Sequence, residues 1–338
     1  MVDQLQPIHG STDSGTPPKY DFSSNANALG PNPTVLKALK AVDPTHYPDP
    51  FYTKLHQEIS AFHQVSPKQV AVGAGASELI VRLTRWERST GNILTMAPTF
   101  GEYARAARLT GLPLYEAQSP EAFLERLSSA QLAFLCIPNN PTGEIYAPEF
   151  LDQVAKVAAR SKTIVVADLA YLSLTQTKID IPEIFWRMYA PNKAHGMTGV
   201  RAGYLIANES LVEFRNVAPS WVLSVHGEAF LRSALSPAAQ TWVKQCHPTL
   251  WRWRDELKNQ IQRIDLEQTW SQANFGLISV GNATQVTEEL RRQDIRVRDC
   301  TSFGLFDQIR VSAQDEVAQE ALVKALFEYL CNKVLVRD

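Results

Sequence analysis

Five short segments carry residue types that could work together around a small bound molecule. Lys193 stands in a glycine-punctuated run, Asn192-Lys193-Ala194-His195-Gly196, with Arg201 eight positions later. A lone lysine is ordinarily a solvated charge, so its neighbours must give it meaning. Asp168, with Tyr171 three residues on, ends the apolar run Ile164-Val165-Val166-Ala167. A carboxylate at the end of a buried strand needs a cationic or hydrogen-bonding partner, although capping a helix is the plainer use. In Ile137-Pro138-Asn139-Asn140-Pro141-Thr142-Gly143 the prolines and glycine stiffen a loop that presents two amides; this is a simple turn or a polar wall of a site. Phe100, in Ala97-Pro98-Thr99-Phe100-Gly101-Glu102-Tyr103, could lie flat on a planar group or fill the core. Gly73-Ala74-Gly75-Ala76-Ser77-Glu78 opens a helix whose first amides suit a phosphate, or forms only a tight turn. As a dinucleotide fingerprint it fails: Glu78 replaces the third glycine, and no acidic residue closes the next strand, which ends Thr95-Met96.

The elements that must hold these segments follow from periodicity. Between about Phe51 and Glu183 short β-rich runs alternate with helical stretches, which predicts a mainly parallel sheet covered by helices on both faces. The clearest strands are Val70 to Val72, Ile93 to Met96, Leu132 to Ile137 and Thr163 to Ala167. Phe51, Leu55, Ile59 and Phe62 recur at helical spacing, as do Phe150, Val154, Val157 and Ala158, and both sets read as core stripes. Long helical segments are expected over Glu209 to Ser236 and Pro237 to Arg263. A small α+β unit follows, with strands near Phe275 to Val280, Ile295 to Val297 and Ile309 to Val311 and a closing helix from about Asp315 to Asn332. The first 25 residues read as an irregular arm. Four of the five chemical segments thus leave the carboxyl ends of strands, the edge where open α/β sheets bind ligands.

Composition narrows the classes. The chain has 338 residues with 33 Lys plus Arg against 35 Asp plus Glu, and no basic block, so nucleic acid and acidic membrane surfaces are not expected partners. No apolar run reaches the ~18 residues of a membrane helix, and Met1 to Gly10 lacks the pattern of an export signal, so a cytoplasmic protein is expected. Cys136, Cys246, Cys300 and Cys331 are widely spaced, which supports neither a disulfide framework nor a metal site. His56 and His63 share a helix face and read as packing or solvated residues.

In their order, the phosphate-type loop, the aromatic, Asn-Pro-Thr-Gly, Asp-x-x-Tyr and Lys with Arg eight on, these segments resemble the class I/II aminotransferase family of pyridoxal-phosphate enzymes over about His9 to Leu330. The similarity is greatest to the branch holding histidinol-phosphate aminotransferase and the threonine-phosphate decarboxylase of cobalamin biosynthesis. Tyr47-Pro48-Asp49-Pro50 suits both. His9-Gly10, Asp21 to Asn25, Leu29-Gly30, Pro98 to Tyr103, Val297 to Cys300, Phe303 to Leu305 and Ile309 to Val311 favour the decarboxylase.

The resemblance implies fold type I: a three-layer α/β/α large domain with a mainly parallel sheet plus a small α+β C-terminal domain. The division would be an N-terminal arm over 1–45, a large cofactor domain over 46–235 and a small domain over 236–338. It implies pyridoxal 5'-phosphate as cofactor, a homodimer, and a small, phosphorylated amino acid as substrate. Lys193 would form the Schiff base, Asp168 would pair with the pyridinium nitrogen, Asn140 and Tyr171 would bond the phenolic oxygen, and Phe100 would stack on the ring. The phosphate would take the amides around Gly75, Ala76 and Ser77, Asn192, the Arg201 guanidinium and Tyr47 of a second subunit. Arg310 would bind the substrate carboxylate, with Arg298, His9 and Asn25 nearby for the remainder of the substrate. Decarboxylation of threonine phosphate is the expected reaction, with transamination as the alternative. Asn192 replaces the usual Ser or Thr before the lysine, Leu169 the usual acid after the aspartate, Ser224 a frequent Asn, and His195 a frequent aromatic. From Asn192 and Leu169 a non-catalytic cofactor-binding homologue is a further alternative.

Overall fold

A computed structural model describes residue 13 and residues 15–86 and 91–335. The large sheet contains β2 (Val70–Gly73), β3 (Asn92–Met96), β4 (Leu114–Ala117), β5 (Ala130–Cys136), β6 (Ile164–Asp168), β7 (Trp186–Tyr189) and β8 (Gly203–Ile206), in the order β2-β8-β7-β6-β5-β3-β4. Only β8 opposes its neighbours; the other six strands run one way. The central strands are apolar throughout because both faces are covered. Along β5, Leu132, Phe134 and Cys136 face α3 (Ala76–Arg85) and α4 (Glu102–Thr110), while Ala133 and Leu135 face α5 (Pro120–Leu127) and α6 (Pro148–Ser161). This alternation makes the three layers that the repeat of strands and helices predicts.

β1 (Tyr20–Asp21) lies in the arm and pairs in parallel with β11 (Ile295–Arg296), so the arm is not wholly irregular. β9 (Gln268–Trp270), β10 (Phe275–Ser279), β12 (Arg298–Asp299) and β13 (Gln308–Ser312) form an antiparallel sheet ordered β12-β13-β10-β9, backed by α10 (Ala283–Arg292) and α11 (Glu316–Leu335). The single strand expected at Ile295 to Val297 is therefore two, β11 serving the arm and β12 the small sheet. Three of the remaining helices, α1 (Pro33–Lys40), α2 (Thr53–His63) and α8 (Val225–Ala234), cover the β2 and β8 end.

Two other expectations need correction. The helical segment from Glu209 to Ser236 is broken into α7 (Val212–Asn216) and α8, because Pro219 interrupts it and Trp221 takes a left-handed φ of 53°. In α2, Leu55 and Ile59 are buried, but Phe62 is 45% exposed, and Phe51, 78% exposed, lies in the turn before the helix. The apolar stripe is thus wider than the surface α2 has to cover. α9 (Pro237–Arg263) begins with Ser236 accepting from the Ala239 amide. Its first half packs beside Ala194 and its second enters the small-domain core. Among the described residues no helix is long and apolar enough to cross a membrane.

Candidate active site

All five segments meet at one sheet edge. The loops after β2, β3, β5, β6 and β7 leave it, and the reversed β8 starts there, so residues 190–202 cross and return along the same edge. Beside them the arm and the small sheet close a cleft of about 1020 Å³.

At one end Gly75 holds φ +87° ahead of α3, and its amide donates to Gly73 O at 2.8 Å. A Cβ here would sit 2.9 Å from Arg201 Nη2, so glycine is required both by its backbone and by the guanidinium laid against it. Ala76 and Ser77 open α3 with their amides toward the cleft end, where a helix start favours an anion. Glu78, the residue that spoils the dinucleotide pattern, turns back instead: its carboxylate accepts from the Ala74 amide at 3.1 Å and from Arg82 at 3.0 Å. It ties the loop together.

Phe100 lines the cleft and meets Tyr103 edge-on at 5.7 Å. Asn139 is occupied with structure: it accepts from the Thr99 hydroxyl at 2.8 Å and donates to Pro98 O at 2.9 Å, which locks the loops after β3 and β5 to each other. Asn140 is left to face the cleft, its amide oxygen receiving Arg310 Nη1.

Asp168 is buried at the end of β6. Tyr103 donates to its Oδ2 at 2.8 Å and the Ala170 amide to its Oδ1 at 3.2 Å, and burial lifts its pKa to about 6. Burial raises the Tyr171 phenol to about 12, opposed by the nearby Arg310 charge and the Asn25 amide. Lys193 donates from Nζ to Ser24 O at 2.7 Å. Its pKa falls to about 8 through burial, then the like charges of Arg310 and Arg201. Asn192, buried, lines the cleft beside it.

The opposite wall carries two arginines on adjacent strands, Arg298 of β12 directly across from Arg310 of β13. Arg298 donates Nη2 to Ser302 Oγ at 2.6 Å and lies over the Phe303 ring, while its buried Nη1 has no partner. Arg310 donates to Ser23 O at 2.9 Å, and its buried Nε has none. Burial and the Arg310 charge hold Arg298 down at about 10.

The remaining expected residues lie elsewhere. Tyr47 is 78% exposed, stacks on Trp221 at 4.4 Å and does not line the cleft of its own chain. Asn25 is buried against Tyr171 rather than in the cleft wall. His9 lies outside the described residues. Ser224 caps α8, accepting from the Gly227 amide at 3.1 Å, which accounts for a short polar residue there. Tyr103, Ser23 and Ser24 were not singled out by residue type; for Tyr103 the available signal was its place one turn after Phe100 on α4.

A buried carboxylate without a cationic partner among the described residues, a depressed lysine and an anion-ready helix start fit one prosthetic group. Asp168 would face a protonated ring nitrogen, Lys193 an aldehyde carbon, and the α3 start a phosphate. The fold and this cleft define a fold type I pyridoxal-phosphate-dependent enzyme. The chain belongs to the class I and II aminotransferase family, which it matches over residues 17–326. It is 31% identical to the histidinol-phosphate aminotransferase of Haloferax volcanii, with 90% of this chain and 88% of the relative covered. Among solved structures, the histidinol-phosphate aminotransferase of Clostridium acetobutylicum superposes with a TM-score of 0.81 at 23% identity, covering 93% of this chain and 99% of that one. The L-threonine-O-3-phosphate decarboxylase of Porphyromonas gingivalis gives 0.78 at 21%, covering 92% and 99%.

Proposed function

We propose that this enzyme is an aminotransferase acting on a small amine with an anionic tail, histidinol phosphate being the first candidate. The observation that carries the reading is the cross-strand pair Arg298 and Arg310, buried, each with an unpartnered N–H, in the same cleft as Lys193. Two desolvated guanidinium groups without a carboxylate bonded to them are an unfavourable arrangement unless anions arrive with the substrate.

When bound, pyridoxal phosphate supplies an electron sink for the bonds at the substrate Cα. The chain's own residues do the rest. Lys193 near neutral pH has an appreciable neutral fraction, so its Nζ is the nucleophile and afterwards the base that takes or returns a proton at Cα. Asp168 would hold the positive charge of the ring nitrogen. Asn140 and Tyr171 would hold the phenolic oxygen, and Phe100 would bound the ring. The amides of Ala76 and Ser77 with Asn192 and Arg201 would retain the phosphate, whereas the Gly75 amide, expected from sequence to join them, is taken by Gly73 O. Arg310 would take the carboxylate of the glutamate co-substrate and Arg298 a distal anion, the phosphate in the case of histidinol phosphate, which has no carboxylate of its own.

Tyr47, exposed and stacked on Trp221, is suited to completing the cleft of a second copy in a homodimer. The units read from sequence as 1–45, 46–235 and 236–338 remain our proposed division.

A second reading, decarboxylation of threonine phosphate, is favoured by Phe303, Gly304 and Leu305, which line the cleft with Arg298 and belong to one of the stretches most similar to that enzyme. One experiment separates the two. Incubation with glutamate converts the cofactor to its amine form and releases 2-oxoglutarate if the enzyme is an aminotransferase. Carbon dioxide from threonine phosphate, with no such conversion, would overturn transamination.

A further inference from the structure

The turn that carries Lys193 spends its own amides internally. The His195 amide donates to Pro191 O at 3.2 Å, Gly196 to Lys193 O at 3.2 Å and Met197 to Asn192 O at 2.8 Å. Lys193 O thus has one donor within the turn and room for a second, while the carbonyls of Ala194 and His195 have none there and need donors from elsewhere. The arm supplies all three. The Asn27 amide donates to Lys193 O at 2.9 Å, Asn27 Nδ2 to Ala194 O at 3.0 Å, and the Asn32 amide to His195 O at 2.9 Å. Asn32 also donates Nδ2 to His195 Nδ1 at 2.9 Å. That orientation is fixed because Asn32 Oδ1 already accepts from the Thr34 and Val35 amides at the start of α1. His195 is thereby an acceptor at Nδ1, and burial, which lowers its pKa to about 4, keeps it neutral.

The two segments also approach too closely for side chains: a Cβ on Gly30 would lie 2.6 Å from Gly196 Cα. Asn27 and Asn32 are both buried.

We propose that Asn27 and Asn32 are positioning residues for Lys193. By holding the backbone of its turn against the arm they set how deeply the amine sits in the cleft. The proposal rests on the reading of Lys193 as the reactive amine, but its test needs neither cofactor nor substrate. The arm that carries these asparagines also supplies Ser24 O to Lys193 Nζ, so it bonds both the turn and the amine.

The charged and titratable groups around the amine are Arg310 from β13, Arg201 before β8 and Asp21 of β1, together with the cleft-lining Asp168 and Tyr171. None of them is altered by substitution at Asn27 or Asn32.

The experiment follows modification of Lys193 by trinitrobenzenesulfonate in cofactor-free protein as a function of pH, with peptide mass mapping to isolate that lysine. Asn27→Ala removes the donor to Ala194 O. Asn32→Ser keeps a cap for α1 but is too short to reach His195. In the parent protein half-modification is expected near pH 8. In each variant it should rise by about one unit as the turn relaxes and water reaches the amine, with circular dichroism confirming the fold. Folded variants that titrate with the parent would overturn the proposal, and should Asn27→Ala fail to fold, Asn32→Ser decides alone. Failure of the functional reading would show separately, as unchanged cofactor attachment in Lys193→Ala.

Discussion

Tyr103 gives its phenolic proton to Asp168 at 2.8 Å, from a ring that is fully buried and stacked at 4.7 Å on Phe134. The carboxylate at the end of β6 is therefore braced from α4, and that brace keeps it ionised against its burial.

Tyr103→Phe preserves the stack and deletes only the donor. A hydrogen bond to a charged group contributes ~1.5–3 kcal/mol, so cofactor affinity should fall about tenfold or more, measured by fluorescence titration of the cofactor-free protein. Unchanged affinity would mean that the Asp168 charge does not depend on Tyr103.

Asp168 also gives the cofactor-free protein a pH signature. Its folded pKa, about 6, lies above the ordinary 3.8, so the neutral acid is the form that the fold prefers. The preference is fully present below about pH 4 and is lost as pH rises through 6. The difference in thermal midpoint between the parent and Asp168→Asn should therefore open in Asn's favour across that window. A constant difference from pH 4 to 7 would contradict it.

Lys193 behaves in the complementary way. Its folded pKa of about 8 is below the ordinary 10.5, so the buried ammonium is a penalty below pH 8 that is relieved as pH climbs toward 10.5. Lys193→Met should stabilise the cofactor-free protein at pH 7, by about 3 kcal/mol at most, and this gain should shrink in alkaline solution. Denaturant unfolding at pH 7 and 10 checks both statements.

Gly75→Ala places a methyl group against Arg201 at a backbone angle that alanine resists. Strain of ~1–3 kcal/mol and a displaced guanidinium should weaken phosphate anchoring by tenfold or more, seen as cofactor lost on dialysis. The same substitution at Gly111, φ +70° but with nothing near its Cβ, should leave cofactor retention intact.

Arg298→Met should raise KM for amino donors with an acidic tail by about 10–100-fold, the cost of ~1.5–3 kcal/mol for a charged hydrogen bond. KM for alanine, which has no such tail, should hardly move. Steady-state kinetics with glutamate and alanine make the comparison, and equal effects on both would remove Arg298 from tail recognition.

Much of this was legible in the residues. The apolar runs at β5 and β6 announce strands covered on both faces, and chemistry clustered just beyond strand ends points to one edge. Motif order then reaches the family. What sequence could not convey was which of two similar residues faces inward. Asn139 and Asn140 are adjacent and alike, yet one fastens two loops while the other faces the cleft, and only the path of the loop decides. Tyr103 and Phe134 read equally well as core. Phe62 keeps helical spacing without burial, because periodicity reports a helix and not the width of its partner, and Phe51 matches the spacing although the helix starts two residues after it. The reading of the reaction also shifts: the resemblance points first to a decarboxylase, whereas the relative from Haloferax volcanii reported above is an aminotransferase.

The reversed strand β8 has a consequence for tolerance to change. Lys193 and Arg201 ride on one hairpin between β7 and β8, so the spacing between the amine and the phosphate fork is a property of loop length alone. Inserting or deleting even one residue there would slide one anchor relative to the other, whereas the turns after α4 and α5, at the opposite edge of the sheet, can lengthen away from the cleft. Natural length variation in this chain's kin is therefore expected at that opposite edge and to be absent within those eight positions.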